Sequence, residues 1–474
     1  MRGTRTVILA AFAASVVAGV LVQAARSDND RDVVRAAVPP GAIKQLMVID
    51  LENESFASTF GPSSPAVYLN KTLLPQGELV TNYFATGHVS LDNYIAQVSG
   101  QGSTVSTNDD CLNLKTLPNL VGGFTDVLPG TDAADELKFP GQVTGDGCVF
   151  PAPGAGTHGA TTIGDQLDAL KRLGESGHLT WREYAEDMGD DPVRDFGTPD
   201  PLGGTDCAHP PIGGTDSSNS AVPHDQYATR HNPFVYFHSV IDDVGRCNDH
   251  VVPLGKLTVG QNGAPDLFQG HLLMDLQKTV TTPAFMFVTP NLCDDGHDAF
   301  CAGPNVEGTK DAMGRNIGGL VGADLWLKHW MPMILASPAY RSGQLLVVIT
   351  FDEASPLDTR ACPAASQADC HAPDGPNVTN FGFSTVLALF GLQSPPGGPG
   401  VYPGGGQVGA VLFNRLYIQA GSVNSTGSYT HFSALRSYED LLEITRGGDD
   451  GFGHIGFASL PNLQPFGPDV FNGR

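Results

Sequence analysis

His88 and Ser90 stand two residues apart on a turn that begins at Gly87. Before the turn the chain reads as the end of an apolar strand; after it Leu91, Tyr94, Ile95 and Val98 recur at helical spacing. Ser90 therefore falls at the first turn of a helix. A serine there is either an N-cap or a nucleophile, set where backbone N–H groups and the helix dipole favour a bound anion. Three other apolar runs also end in groups that bind cations or move protons. Ile43–Leu51 is followed by Glu52 and Asn53, Pro283–Pro290 by Asp294, Asp295 and His297, and Gln344–Phe351 by Asp352 and Glu353. Adjacent carboxylates at a buried strand tip repel, so Asp352 and Glu353 call for a cation or another partner. His297 beside two aspartates reads as a ligand or a proton-transfer group. Glu52 and Asn53 read equally as loop polars, His231 before Asn232-Pro233 as a turn residue, and His431 as a cap or a surface residue. His178, His209, His224 and His329 read as structural or surface residues.

Stepping these groups into place requires strands and helices in alternation. Ile43–Leu51, Thr180–Tyr184, Pro283–Pro290, Gln344–Phe351 and Phe383–Leu392 read as strands. Helices are expected from Leu91, over Thr162–Leu173, Leu267–Leu276 and Gly318–Leu335, and from Phe432 to Ile444 after His431. Pro332 should kink or end its helix. The strands are apolar on both faces, which predicts an α/β fold with a mainly parallel sheet covered by helices on both faces. In such a sheet the strand C-termini share one edge, where open α/β sheets bind ligands. Groups hundreds of residues apart then converge. Long Gly/Pro-rich loops are expected over 100–160 and 189–222, and no internal repeat is visible.

At 474 residues the chain can bury a large core, and its 41% hydrophobic against 16% charged content reads as globular rather than disordered. The 58 Gly and 35 Pro make it loop-rich. A net charge of -24 excludes a global attraction to nucleic acid or anionic membranes, while clustered carboxylates suit divalent cations. Arg2 and Arg5 precede an unbroken run of 16 apolar or small residues, Val7 to Val22, and Val22-Gln-Ala24 resembles a cleavage site. Residues 1–25 are expected to be a signal peptide or an N-terminal anchor, 26–40 a linker, and 41–474 a single catalytic domain. No further membrane span and a secreted or cell-surface location are expected. Eight cysteines without a CxxC pair point to disulfides in an oxidising compartment. The expected pairs close local loops: Cys293–Cys301, Cys362–Cys370, Cys111–Cys148 and Cys207–Cys247.

Six segments, taken in order, resemble the phosphoesterase family of bacterial and fungal acid phosphatases and non-haemolytic phospholipases C, within the alkaline phosphatase-like superfamily. They are Glu52-Asn-Glu-Ser-Phe56, Gly87-His-Val-Ser-Leu-Asp-Asn-Tyr94, Arg230-His-Asn-Pro-Phe234, Asp294-Asp-Gly-His-Asp298, Phe351-Asp-Glu353 and His431-Phe-Ser-Ala-Leu435. The family pattern has Thr where Gly87 stands, Pro for Val89, Asn for Asp294 and Trp for Phe351. None of these departures removes a reactive group.

The resemblance implies an alkaline phosphatase-like fold and a metal-dependent phosphoesterase working through a phosphoserine intermediate. Ser90 would be the nucleophile. Glu52, Asn53, Asp352 and Glu353, with Asp295, would hold a divalent metal ion. His231, His297 and His431 would bind phosphate or act as general acid. Zinc suits a set that includes histidine, and calcium, magnesium or manganese an all-oxygen set. The substrate would be a phosphate ester, preferably a phosphomonoester of the acid-phosphatase type. The alternatives are a phospholipase C, a sulfate- or phosphonate-cleaving enzyme, and a non-catalytic surface protein on the same fold. Phosphoryl chemistry suits these residues, because in-line attack spreads charge over oxygens that a cation and histidine donors stabilise.

Overall fold

Gln45–Leu51 (β1) is buried at all seven positions, so it has to be covered on both faces. It lies in the middle of an eight-stranded sheet. The computed structural model describes residues 33–111, 122–129, 139–154, 159–172, 180–259, 265–355, 376–377 and 404–473. The other strands of the sheet are Glu78–Val80 (β2), Trp181–Ala185 (β4), Val251–Pro253 (β5), Phe285–Thr289 (β6), Leu345–Phe351 (β7), Ala410–Phe413 (β8) and Ser422–Asn424 (β9). Tyr83–Ala85 (β3) and Tyr429–Thr430 (β10) belong elsewhere. The spatial order is β5-β4-β6-β1-β7-β8-β2-β9. Neighbours from β5 to β7 are parallel, while β8 runs antiparallel to both β7 and β2. The sheet is thus mainly parallel, as the two-faced apolar runs predict.

The helices that matter for the site are Ser90–Ser99 (α1), Ile163–Arg172 (α2), His271–Leu276 (α3), Gly319–Ala336 (α4) and His431–Leu441 (α5). Leu46 and Val48 of β1 pair in register with Phe285 and Phe287 of β6. Tyr94 of α1 packs on Phe287 and Tyr438 of α5 on Phe285, with ring centroids 6.0 and 6.3 Å apart. From α1, Gln97 donates to buried Asp50 at 2.5 Å. Thus α1 and α5 lie on this face of β1 and β6. Met47 and Ile49, on the opposite face, are equally buried.

Several local expectations change. Pro332 neither ends nor divides α4. The helix buries Trp326, Trp330, Met331 and Ile334 around it, and that packing outweighs a local cost of about 3 kcal/mol. The segment expected as the helix Leu267–Leu276 is a strand, Pro265–Gln269, followed by the short α3. Gly270 divides them at φ 143°, a conformation that only glycine adopts readily. The last helix starts at His431 rather than Phe432 and ends at Leu441. The end of the expected linker is not free chain: residues 33–37 are helical, and Val34 and Val38 join the core. The expected strand Phe383–Leu392, the residues 1–25 and the pair Cys362–Cys370 lie outside the described residues. Disulfides join Cys111–Cys148, Cys207–Cys247 and Cys293–Cys301.

Candidate active site

The β1, β6 and β7 tips meet as a parallel sheet requires. Backbone bonds lock them together: Glu52 N donates to the Asp295 carbonyl (2.9 Å), and Asp352 N to the Leu51 carbonyl (2.8 Å). Asn53 N donates to Asp352 Oδ1 at 2.9 Å, with Asn53 turned to φ 52°. Asn tolerates that left-handed conformation better than most residues. Gly296 admits the close approach, since a Cβ there would stand 2.9 Å from the Glu52 carbonyl oxygen.

Ser90 reaches this edge differently from the carboxylates. Its preceding strand, β3, is not in the central sheet. It is three residues long and lies between Gly406–Gln407 and β10 in a separate three-stranded sheet. The turn after it is built by Asn93. Its Oδ1 accepts from Thr86 N and Gly87 N, and its amide nitrogen donates to the Gly87 and Val89 carbonyls. Gly87 lets the Asp92 carboxylate pack against the turn, since a Cβ here would stand 2.3 Å from it and the carboxylate would have to move. Val89 is the N-cap, with no side-chain cap bond. Ser90 is therefore the first helical residue, and its hydroxyl does not cap. It donates to Glu52 Oε2 at 2.8 Å.

His231 lies in the short 3-10 turn Thr229–His231, its ring stacked on Tyr94 at 5.2 Å. Its Nε2 is 3.3 Å from Glu52 Oε1 and its Nδ1 3.5 Å from Asp295 Oδ2. His431 is the first residue of α5, capped instead by Thr430. Its Nε2 donates to the Asp352 carbonyl (2.7 Å), and its Nδ1 lies 3.2 Å from the Tyr83 hydroxyl. His297 is more open, 37% exposed at its side chain, with Nδ1 2.7 Å from Asp298. Glu353 faces His88, whose Nδ1 stands 3.0 Å from Glu353 Oε2. His88 thus joins the expected residues. So do Arg230 and Asp110: Asp110 Oδ1 accepts the Leu91 N–H at 3.0 Å, and its Oδ2 is 3.8 Å from the Arg230 guanidinium. Their signals were their places beside His231 and Ser90 in the matched segments, and, for Asp110, the neighbouring half-cystine.

The electrostatics follow from burial. Burial, then the charges of Asp352 and Asp295, push the Glu52 carboxyl well above its ordinary value. Asp352 and Glu353 are pushed up by burial and by neighbouring carboxylates. Asp295 rises to about 7, chiefly through burial. Burial holds His88 and His431 down to about 4 and His231 well below its usual range. Burial opposes charge on His297, but the Asp298 bond and the Asp295 charge outweigh it and raise this ring.

Glu52 Oε1, Asn53 Oδ1, Asp295 Oδ2 and Asp352 Oδ2 are buried without a hydrogen-bond partner, as is His231 Nε2. Buried oxygens normally have partners. An oxygen-rich set with one imidazole fits a divalent cation, which would satisfy these atoms and relieve the carboxylate repulsion.

No protein-family model matches the chain. It is similar to the phosphate-repressible acid phosphatase of Penicillium chrysogenum, 25% identical over 312 residues that cover 66% of this chain and 48% of that protein. A probable acid phosphatase of Kluyveromyces lactis is 22% identical over 332 residues, 70% of this chain and 52% of its own. The chain thus spans about half the length of these curated relatives. Among solved structures, an alkaline phosphatase superfamily protein from Vibrio parahaemolyticus superposes with a TM-score of 0.39 and 12% identity, over 88% of this chain and 75% of that one. Relatives named acid phosphatase thus match the chain over about two thirds of its length.

Proposed function

We propose that the protein is a metal-dependent phosphoesterase that cleaves phosphomonoesters outside the cytoplasm, with Ser90 as the nucleophile. One observation carries this reading: the Ser90 hydroxyl, at the start of α1, donates to Glu52 among buried oxygens that have no other partner. The acid phosphatase relatives support the substrate class. The three disulfides suit an oxidising compartment.

Glu52, Asn53, Asp295 and Asp352, with the ring of His231, would hold the metal. When bound, a divalent cation lowers the pKa of a nearby hydroxyl and neutralises charge on phosphate oxygens. Glu52 takes the Ser90 proton as the oxygen attacks phosphorus. Arg230, buried beside Asp110 and within electrostatic reach of Glu52, orients the phosphate oxygens. His297, exposed and with a raised pKa, delivers a proton to the leaving alkoxide. The ring of His431 is engaged at both nitrogens and held neutral, so it fixes the β7 tip and does not shuttle protons. Glu353, next to Asp352 and paired with the His88 ring at 3.0 Å, would complete the metal set.

Purified protein assayed on a small aryl phosphate and the matching sulfate, with and without chelator, tests the reading. Phosphate release that chelator abolishes and divalent metal restores is expected. Faster sulfate release, or full activity in chelator with no metal by elemental analysis, would refute it. Ser90→Ala should abolish turnover and leave the fold intact. A tenth of the rate is only about 1.4 kcal/mol of barrier, so a variant retaining more than that excludes Ser90 as nucleophile.

A further inference from the structure

We propose that Asp200, Asp206 and His271 form a second divalent-cation site, suited to zinc, that staples the hairpin 198–206 to the start of α3. Asp206 sits on a two-residue strand, opposite Thr198 across the hairpin, and Asp200 opens the turn between them, its carbonyl accepting the Gly203 N–H at 3.1 Å. His271 opens α3. Among the described residues, these three side chains offer ligand atoms that all lie within 4.8 Å of one another. The His271 Nε2 to Asp200 Oδ2 distance is 2.8 Å.

A second observation points to a ligand. Asp206 is 7% exposed, yet its Oδ1 is buried without a hydrogen-bond partner. The Asp200 side chain is 2% exposed, so this is no solvated acidic patch. Two shielded carboxyls in contact share either a proton or a cation. Burial, then the Asp200 charge, drives Asp206 up to about 7. Arg182 does not fill the gap. It stands 3.5 Å from the other ring nitrogen of His271, long for a hydrogen bond, and is bonded to Asp275 (2.7 Å) and the Asp249 carbonyl (3.1 Å).

Two carboxylates and one imidazole are the hard and borderline donors that zinc accepts, at about 2.0–2.2 Å each, with water completing four-coordination. Donors now 2.8 to 4.8 Å apart need to shift only slightly to reach that geometry. The remaining exposure of His271, 17% of its side chain, leaves a path for the ion and its water. The site would act on structure. The hairpin leads directly into the Cys207–Cys247 disulfide, and Thr205 N donates to the Met188 carbonyl beyond β4. A metal here would tie that edge of the sheet to the chain after Gly270.

The test is zinc binding by the full chain after stripping with chelator. It is run on wild type, Asp206→Asn and His271→Gln, and again with each variant in an Asp352→Asn background. Each variant is expected to lose about one equivalent of bound zinc in both backgrounds. Each should also lose the zinc-dependent rise in melting temperature that wild type shows. Phosphate release by the single variants should stay within about twofold of wild type, as for well-separated sites. In chelator, Asp206→Asn should melt no lower than wild type, because it removes a carboxyl repulsion, so lost binding cannot be ascribed to misfolding. Equal zinc stoichiometry and equal zinc-dependent stabilisation in wild type and both variants would overturn the proposal. So would a wild type whose stability ignores zinc while Asp206→Asn is more stable, since the pair would then share only a proton. The Asp352→Asn background separates this outcome from failure of the phosphoesterase reading.

Discussion

Glu52 combines three environments that seldom coexist at one carboxylate. It is fully buried, it accepts from Ser90, and it faces the charges of two other acids. Replacing it with glutamine keeps size and hydrogen-bonding capacity while removing the charge. Glu52→Gln should lower kcat by at least about 10²-fold, in line with a lost general base or metal ligand. The same change should hold or raise the melting temperature of the metal-free protein, because a buried, repelled carboxylate is relieved. Steady-state rates and melting curves of the two proteins check both halves; a variant that keeps its rate would remove Glu52 from the chemistry. Much at this scale was legible. Glu52, Asn53, Asp295 and Asp352 were visible as polar residues at the ends of apolar runs. The partners of His88, Arg230 and Asp110 were harder to see, because those contacts are three-dimensional. Glu353 reaches His88 across 265 residues, and Asp110 reaches Leu91 through a loop that shows no periodicity.

Elements were legible where packing alone determines them. The runs that became β1, β6 and β7 are apolar at nearly every position, and a strand buried on both faces needs no other signal. The sequence showed a strand end at β3 but not its partners, because its three residues pair with short segments more than 320 positions away. It also misplaced the break at Gly270, because a strand and a short helix in succession have no single period. Loops that depend on a specific clamp were equally hidden. His454, fully buried, bridges Asp440 of α5 (3.2 Å) and Asp450 (2.6 Å). Burial opposes its charge, but the two carboxylate bonds outweigh burial and hold the ring up to about 9. Its folded pKa lies above the unfolded value of about 6.5. The clamp therefore contributes fully below about pH 6.5 and is lost as pH rises through about 9, on the order of 3 kcal/mol in all. Melting temperatures of wild type and His454→Gln should differ most below about pH 6.5 and converge above about pH 9; a constant gap would contradict the assignment. The Cys293–Cys301 bridge is a second clamp, closing the loop that carries Asp295 and His297. Removing it as Cys293→Ser/Cys301→Ser should cost about 2.5 kcal/mol by loop entropy. Activity should fall by more than the loss of folded protein explains, because the Asp295 carbonyl holds Glu52 N. Denaturant unfolding and the rate per folded molecule separate the two effects.

The whole molecule carries a net charge of -24, which sets the terms on which substrates approach. A small phosphomonoester brings about two negative charges and is screened within roughly 8 Å at physiological ionic strength. It can therefore reach Arg230 and the carboxylates proposed to hold a metal, despite the long-range repulsion. A phospholipid stays in its bilayer, where anionic surfaces attract basic segments and repel acidic ones. Among the described residues no helix is long and apolar enough to cross a membrane. An enzyme that works on a lipid surface needs an attraction to hold it there, and the charge supplies the opposite. At matched enzyme and saturating substrate, release of inorganic phosphate from a small monoester should therefore exceed release of phosphocholine from phosphatidylcholine vesicles by at least about tenfold, a barrier difference of about 1.4 kcal/mol. Adding anionic lipid to the vesicles should widen that gap at low salt and narrow it as salt rises. If diacylglycerol instead appears faster than phosphate, and anionic lipid speeds it, the site serves a phospholipase C and a membrane-facing surface must override the net charge.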